Sequence, residues 1–174
     1  MKTPFHFLLF IVFASALVAA ELPLANPGFE EGLKDWVVGV SDPGSSVLPA
    51  AAYTGRQGLR VADQDEAVGS DVESALIPAT AGTSYTVHFW SKLVRGDGMA
   101  VYLRFFDEQR KPLTGAKSKN EIFLAIPRSD REWTRFSLSG KAPVGTVFVS
   151  IWLHSFSKNK VLAYLDDFTL SVAD

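Results

Sequence analysis

The chain has 174 residues, 17 Lys and Arg against 19 Asp and Glu, a formal net charge of −2, and no cysteine. The missing thiols exclude disulfide scaffolds, thiolate zinc sites, cysteine nucleophiles and a lipid anchor on an N-terminal cysteine. The slightly acidic balance gives no electrostatic ground for binding nucleic acid, which demands clustered Lys and Arg.

The N-terminus is unlike the rest. After Lys2, residues Phe5 to Val18 are almost wholly apolar, and Val18-Ala19-Ala20 precede Glu21. A charged start, a short apolar centre and small residues before a cleavage point mark residues 1–20 as a secretory signal peptide, too short to span a bilayer comfortably. Its removal leaves one domain, residues 21–174, with no transmembrane anchor and a destination outside the cell or in the periplasm.

Along that domain, alternation with period two dominates and no helical period is sustained. Strands are predicted over 36–40, 58–62, 72–78, 85–93, 99–107, 132–139, 146–154 and 161–172, with turns at Asp42-Pro43-Gly44, Arg95-Gly96-Asp97-Gly98 and Pro143-Val144-Gly145. The polar stretch 114–120 reads as a long surface loop. Many short strands punctuated by Gly and Pro predict an all-β fold, an antiparallel β-sandwich. The alternation assigns Tyr85, Val87, Phe89, Val101, Leu103, Phe105, Val149, Ile151 and Leu153 to its core, with Phe29, Leu59, Val61, Phe136, Leu138, Phe168 and Leu170.

Two groups of residues carry chemistry. Extended backwards from Val172, Leu170 and Phe168, the last strand's alternation puts Asp166 and Tyr164 on the apolar face, where a carboxylate needs compensation. Oxygen-rich partners stand near the start of the domain in Asn26-Pro27-Gly28-Phe29-Glu30. Carboxylates with backbone carbonyls suit calcium, which takes six to eight oxygen ligands. A capped turn, or pairing with Lys or Arg, accounts for the same residues.

The stretch Asn26-Pro27-Gly28-Phe29-Glu30-Glu31-Gly32, followed by Trp36, resembles the opening of carbohydrate-binding modules with a galactose-binding-like β-jelly-roll fold. These include the xylan- and laminarin-binding types of secreted polysaccharide-degrading enzymes. Residues Tyr53 to Val61, Tyr85 to Trp90 and Tyr164 to Leu170 agree with that pattern in order and spacing. The resemblance implies a jelly roll and a structural calcium joining the first and last strands. Its implied ligands are Gly28, Glu30, the Thr54 and Gln57 region, and Asp166. Asp167, on the opposite face by parity, is the lesser ligand candidate of the pair.

The second group lies opposite the core on the three central strands. His88, Trp90, Lys92, Tyr102, Arg104, Phe106, Ser150, Trp152 and His154 are predicted to share one outward face. Ordinary solvated faces do not gather two Trp, a Tyr and a Phe. Sugar rings pack their C–H faces on aromatic planes while forked donors take the hydroxyls. The expected ligand-binding residues are Trp90, Tyr102 and Trp152, with Arg104, His88 and His154 as polar contacts. The other reading makes this face a second small core covered by the 114–120 loop. Trp36 and Trp133 are expected to be packing residues.

No Gly-x-Ser-x-Gly nucleophile motif, phosphate loop or metal-spaced His pair occurs, and Asp63, Asp65, Glu66, Asp71 and Glu73 read as a solvated loop and strand start. A non-catalytic, monomeric protein that binds a polysaccharide or oligosaccharide is therefore expected. The alternative is a structural or adhesive envelope protein using the same sandwich to bind a protein.

Overall fold

The structure, a computed structural model, describes residues 20–42, 44–96, 98–113, 122–126, 131–155 and 160–173. Nearly all of residues 1–20 and the 114–120 segment lie outside the described residues. The strands are β1 (Ala20–Glu21), β2 (Trp36–Val38), β3 (Ser46–Leu48), β4 (Gly58–Asp63), β5 (Val72–Ser74), β6 (Ile77–Pro78), β7 (Ser84–Gly96), β8 (Met99–Phe106), β9 (Ile122–Ile126), β10 (Thr134–Lys141), β11 (Phe148–His154) and β12 (Val161–Ala173). One 3₁₀ turn, Pro49–Ala51, sits between β3 and β4.

The strands form two six-stranded antiparallel sheets. The first has the order β10-β7-β12-β4-β3, with β1 added to β12. The second runs β2-β5-β11-β8-β9, with β6 added to β11. The fold is thus the expected all-β antiparallel sandwich. Among the described residues no helix is long and apolar enough to cross a membrane.

The residues chosen by alternation fill the space between the sheets. Phe29, Leu59, Val87, Phe89, Val101, Leu103, Phe105, Val149, Ile151, Leu153 and Leu170 are fully buried, and Phe168 and Tyr85 nearly so. Only Phe136 departs, being partly buried against the core from β10. Trp36 packs inside as expected, its ring 4.9 Å from Phe29 and 5.4 Å from Phe168. Burial of such rings is the main source of stability in a fold without cross-links.

Two expectations fail for identifiable reasons. Strand β7 pairs with β12 and β10 in the first sheet, whereas β8 and β11 pair with each other in the second. Alternation tells which residues leave the core but not which sheet carries the strand. The second failure lies in β12, where the register against β7 shifts between Asp166 and Thr169 and Asp167 adopts a left-handed φ of 51°. This bulge reverses the parity, so Val161, Ala163 and Leu165 face the core before it, and Phe168 and Leu170 after it. Asp166 and Tyr164 therefore lie on the outer side of the first sheet, not on its apolar face.

Candidate functional site

On the outer side of the second sheet, cross-strand registers build a row. Val37 of β2 stands opposite Glu73 of β5, Glu73 opposite Trp152 of β11, and Trp152 opposite Tyr102 of β8. Ser150 and Arg104 form the next pair, and His154 lies opposite Ala100 on the other side. Residues opposite each other on antiparallel strands project to the same face, which brings four of the six expected ligand-binding residues together.

Trp152 and His154 are stacked, with centroids 4.4 Å apart and planes at 14°. Tyr102 leans on Trp152 at 4.8 Å and 45°. Arg104 lays its guanidinium over the Trp152 ring, 4.6 Å from the centroid, and donates from Nη1 to Glu73 Oε2 at 2.9 Å. The Ser150 hydroxyl donates to the other Glu73 oxygen at 2.5 Å. The Trp152 indole N–H donates to Asp71 Oδ1 at 2.7 Å, and Asp71 N–H in turn donates to Asp42 Oδ2. His154 Nδ1 meets the Ser70 carbonyl. The Trp152 and His154 planes are thereby held at angles set by their polar edges. Tyr102 is only 5% exposed and forms the floor, while Trp152 and His154 are half-buried.

Glu73 and Asp71, read from sequence as a solvated strand start, belong to this face. The reason is that three-residue β5 inserts between β2 and β11. The usable signal was the alternation in Val72-Glu73-Ser74, in which both neighbours of Glu73 are buried. Burial pushes the Glu73 carboxyl above its ordinary range, opposed by the Ser150 hydroxyl and by Arg104. Chemically the face offers ring planes flanked by a carboxylate acceptor and a forked donor.

His88 and Trp90 are elsewhere, on the outer side of the first sheet. Trp90 stacks on Tyr53 at 4.0 Å and 21°, and Trp133 packs on Tyr53 from 5.3 Å. Trp90 thus packs beneath the 49–57 segment instead of lining the aromatic row with Trp152.

That segment also covers the acidic cluster. Asp166 is fully buried; its Oδ2 accepts N–H bonds from Tyr53 at 2.7 Å and Thr54 at 3.2 Å, and its Oδ1 one from Asp167 at 2.9 Å. The Thr54 hydroxyl reaches both Asp167 oxygens, at 3.0 and 2.9 Å. Gly28 leaves room beside them, since a Cβ there would come within 3.4 Å of Asp167 Oδ1 and 3.5 Å of Asp166 Oδ1. Glu30 instead accepts from the N–H groups of Arg56 at 2.8 Å and Gln57 at 3.0 Å, bonds that hold its carboxyl below the usual range. The Gln57 amide returns to the Glu30 carbonyl at 3.2 Å. Burial pushes Asp166 up to about 6 despite its three N–H donors.

The expected metal ligands are therefore neighbours, in two linked parts. Gly28, Thr54 and Asp166 meet, with Asp167 contributing despite its strand parity, and Glu30 joins Gln57 beside them. Among the described residues no three carboxylate or imidazole groups converge as a finished ligand set. The donor chemistry nevertheless fits a hard cation: two adjacent carboxylates, one buried without a cationic side chain, beside a glycine that leaves space.

A separate cleft of about 800 Å³ opens at the end of the sandwich, lined by Asp42, Asp63, Glu66, Ser70 and Lys160 among others. Among the described residues it offers no aromatic plane.

The fold has known counterparts. The chain is 26% identical over 141 residues to endo-1,4-β-xylanase A of Thermotoga neapolitana, a match covering 80% of this chain but 13% of that protein. The chain thus spans a small fraction of the relative it matches. The CBM22 xylan-binding domain from Paenibacillus barcinonensis superposes with a TM-score of 0.66 at 16% identity, covering 92% of this chain and 99% of that domain. A CBM61 module solved in complex with β-1,4-galactotriose gives 0.55 at 20% identity, covering 86% and 97%. No family model matches. The chain has the β-jelly-roll sandwich fold of these carbohydrate-binding modules.

Proposed function

We propose that this chain is a non-catalytic, exported carbohydrate-binding domain, and that the outer face of the second sheet receives the glycan. The observation carrying this reading is the stacked Trp152 and His154 pair, floored by Tyr102 and flanked by the Arg104–Glu73 ion pair. Sugar C–H faces lie on Trp152, while Glu73 and Asp71 accept from hydroxyl groups and Arg104 donates to them. Apart from Glu73 and Asp71, the described part of this face presents no carboxylate. Both are already engaged by Arg104, Ser150 and Trp152, which suits them to recognition more than to acid–base exchange.

The carboxylates of Asp166 and Asp167, with Thr54 and the Gly28 and Glu30 region, would hold a structural calcium. Bound there, the ion would supply the charge compensation that Asp166 lacks and tie the 53–57 segment to the last strand and to the 28–30 segment between β1 and β2. The names of the superposed modules, xylan-binding and galactotriose-bound, support neutral β-linked polysaccharides as the ligand class.

The test is titration calorimetry of the domain against xylan and β-1,4-galactan, with Trp152→Ala as control. Binding lost in the variant while the melting temperature is kept supports the site. Absence of binding to any neutral glycan, together with capture of a protein ligand, would instead establish the adhesive alternative.

A further inference from the structure

The outer side of the first sheet has a different chemistry from the face assigned to glycan. Arg60 of β4 stands opposite Tyr164 of β12, and Tyr164 opposite Lys92 of β7. The adjoining row on one side places Arg95 opposite Leu162, and the row on the other side brings Arg135 of β10 opposite Trp90. Four cations on three strands thus share one face with a half-buried tyrosine, in a protein whose net charge is −2. Composition cannot reveal this segregation, because the cations are spread over three strands, β4, β7 and β10.

Among the described residues these cations have no neutralising partner. None of the four forms an ion pair there, and Arg60 donates only to the Gly44 carbonyl at 2.9 Å and, at the limit of hydrogen-bond distance, to Ser46 Oγ at 3.5 Å. The described carboxylates on this side are engaged elsewhere: Asp166 and Asp167 by the backbone and hydroxyl of the 53–54 segment, Glu30 by the Arg56 and Gln57 amides and the Arg56 side chain, while Glu21 lies at the far end opposite Ser171. Arg95 and Arg135 are exposed, while Arg60, Lys92 and Tyr164 lie half-buried along the sheet. Like charges gathered without counter-charges repel one another, and an anionic partner relieves that repulsion.

We propose that this face is a second carbohydrate-binding surface, selective for carboxylate-bearing polysaccharides of the polyuronate type. The spacing favours a linear polyanion over a compact anion. With one strand between them, Arg60 and Lys92 stand about 10 Å apart across the sheet. That distance suits successive charged sugars along a chain better than the oxygens of a single phosphate. Tyr164, set between the two cations, supplies a ring for a sugar face, so carboxylate and pyranose are met by alternating charge and aromatic surface. The two sheets thereby divide their ligands, neutral glycan on the second and acidic glycan on the first.

The test compares polygalacturonate with its methyl-esterified form, identical in backbone but uncharged, with sodium as the only cation. Wild type should bind polygalacturonate, lose affinity as salt rises, and fail to bind the ester. Lys92→Gln/Arg95→Gln should weaken binding roughly tenfold or more at an unchanged melting temperature. If that pair unfolds, Arg135→Gln alone should still give a measurable loss. Trp152→Ala should leave polygalacturonate binding intact, which separates failure of this surface from failure of the neutral-glycan site. Equal binding to the esterified polymer, full affinity in the charge variants, or no binding to polygalacturonate would overturn the proposal. So would tighter binding to phosphatidylglycerol vesicles or duplex DNA, which would make the face a general anion or membrane contact.

Discussion

The Asp166 carboxylate and the Tyr53 amide are separated by 113 residues in the chain and by 2.7 Å in the fold. This bond fixes the 53–57 segment onto the last strand, and the Tyr53 ring covers Trp90 in consequence. Asp166→Ala would strand two inter-segment N–H groups and the Asp167 N–H. A loss of about 2–4 kcal/mol is expected, since each unsatisfied buried donor costs about 1–3 kcal/mol and part of the site can admit water. Excess calcium against chelator should raise the wild-type melting temperature and leave the variant unmoved. An equal response in both would remove the cation from this position.

Two tryptophans of similar sequence context should behave in opposite ways. Trp152→Ala should weaken neutral-glycan binding at least tenfold with little change in melting, because an aromatic platform carries a large share of such contacts. Trp90→Ala should lower the melting temperature and spare neutral-glycan affinity, since its ring is packed at 4.0 Å under Tyr53. Calorimetry and thermal melts on the two variants check this, and a reversed pattern would reassign the site to the first sheet.

Glu73 gives the outer face of the second sheet a pH dependence whose sign is fixed. Burial raises its folded-state pKa above the ordinary 4.5, so the protonated form favours the fold. That contribution is complete below about 4.5 and is lost as pH rises through the folded value. Melting temperatures of wild type and Glu73→Gln measured from pH 4 upward should therefore differ most in the wild type's favour at the acid end. A difference independent of pH would show that Glu73 does not titrate with folding.

Gly55 makes the contact between Glu30 and the 56–57 amides possible. Its φ is 64°, and a Cβ there would lie 2.3 Å from Glu30 Oε1. Gly55→Ala should cost about 1–3 kcal/mol of stability through backbone strain, more if Glu30 is displaced. Denaturant unfolding reads the loss directly, and an unaffected midpoint would mean that the segment relaxes freely.

Much of this was legible in the chain. Strands β7, β8 and β11 announced their inner residues because period two follows from the pleat itself, and the core of the sandwich came with them. Pairing partners did not, because they depend on contacts between segments far apart. The separation of Trp90 from Trp152 is the visible result. Local irregularity hid the rest: one left-handed residue at Asp167 reversed the facing of half a strand, and nothing in Leu165-Asp166-Asp167-Phe168 marks that bulge in advance. Glu73 escaped notice because a strand predicted over 72–78 does not reveal that its first three residues insert between β2 and β11, beside Trp152.

Strand β12 occupies the middle of the first sheet, flanked by β7 and β4, yet it is made after both. Until residue 173 has been synthesised, two strand edges that end as neighbours of β12 have nothing between them. A ribosome-bound chain therefore cannot close its sandwich early, and most of its stabilising contacts arrive in a single late event. Slow, all-at-once closure is the kinetic signature of non-local β pairing. It also leaves the open edges of β4 and β7 as the surfaces that must be kept from other chains while synthesis is incomplete.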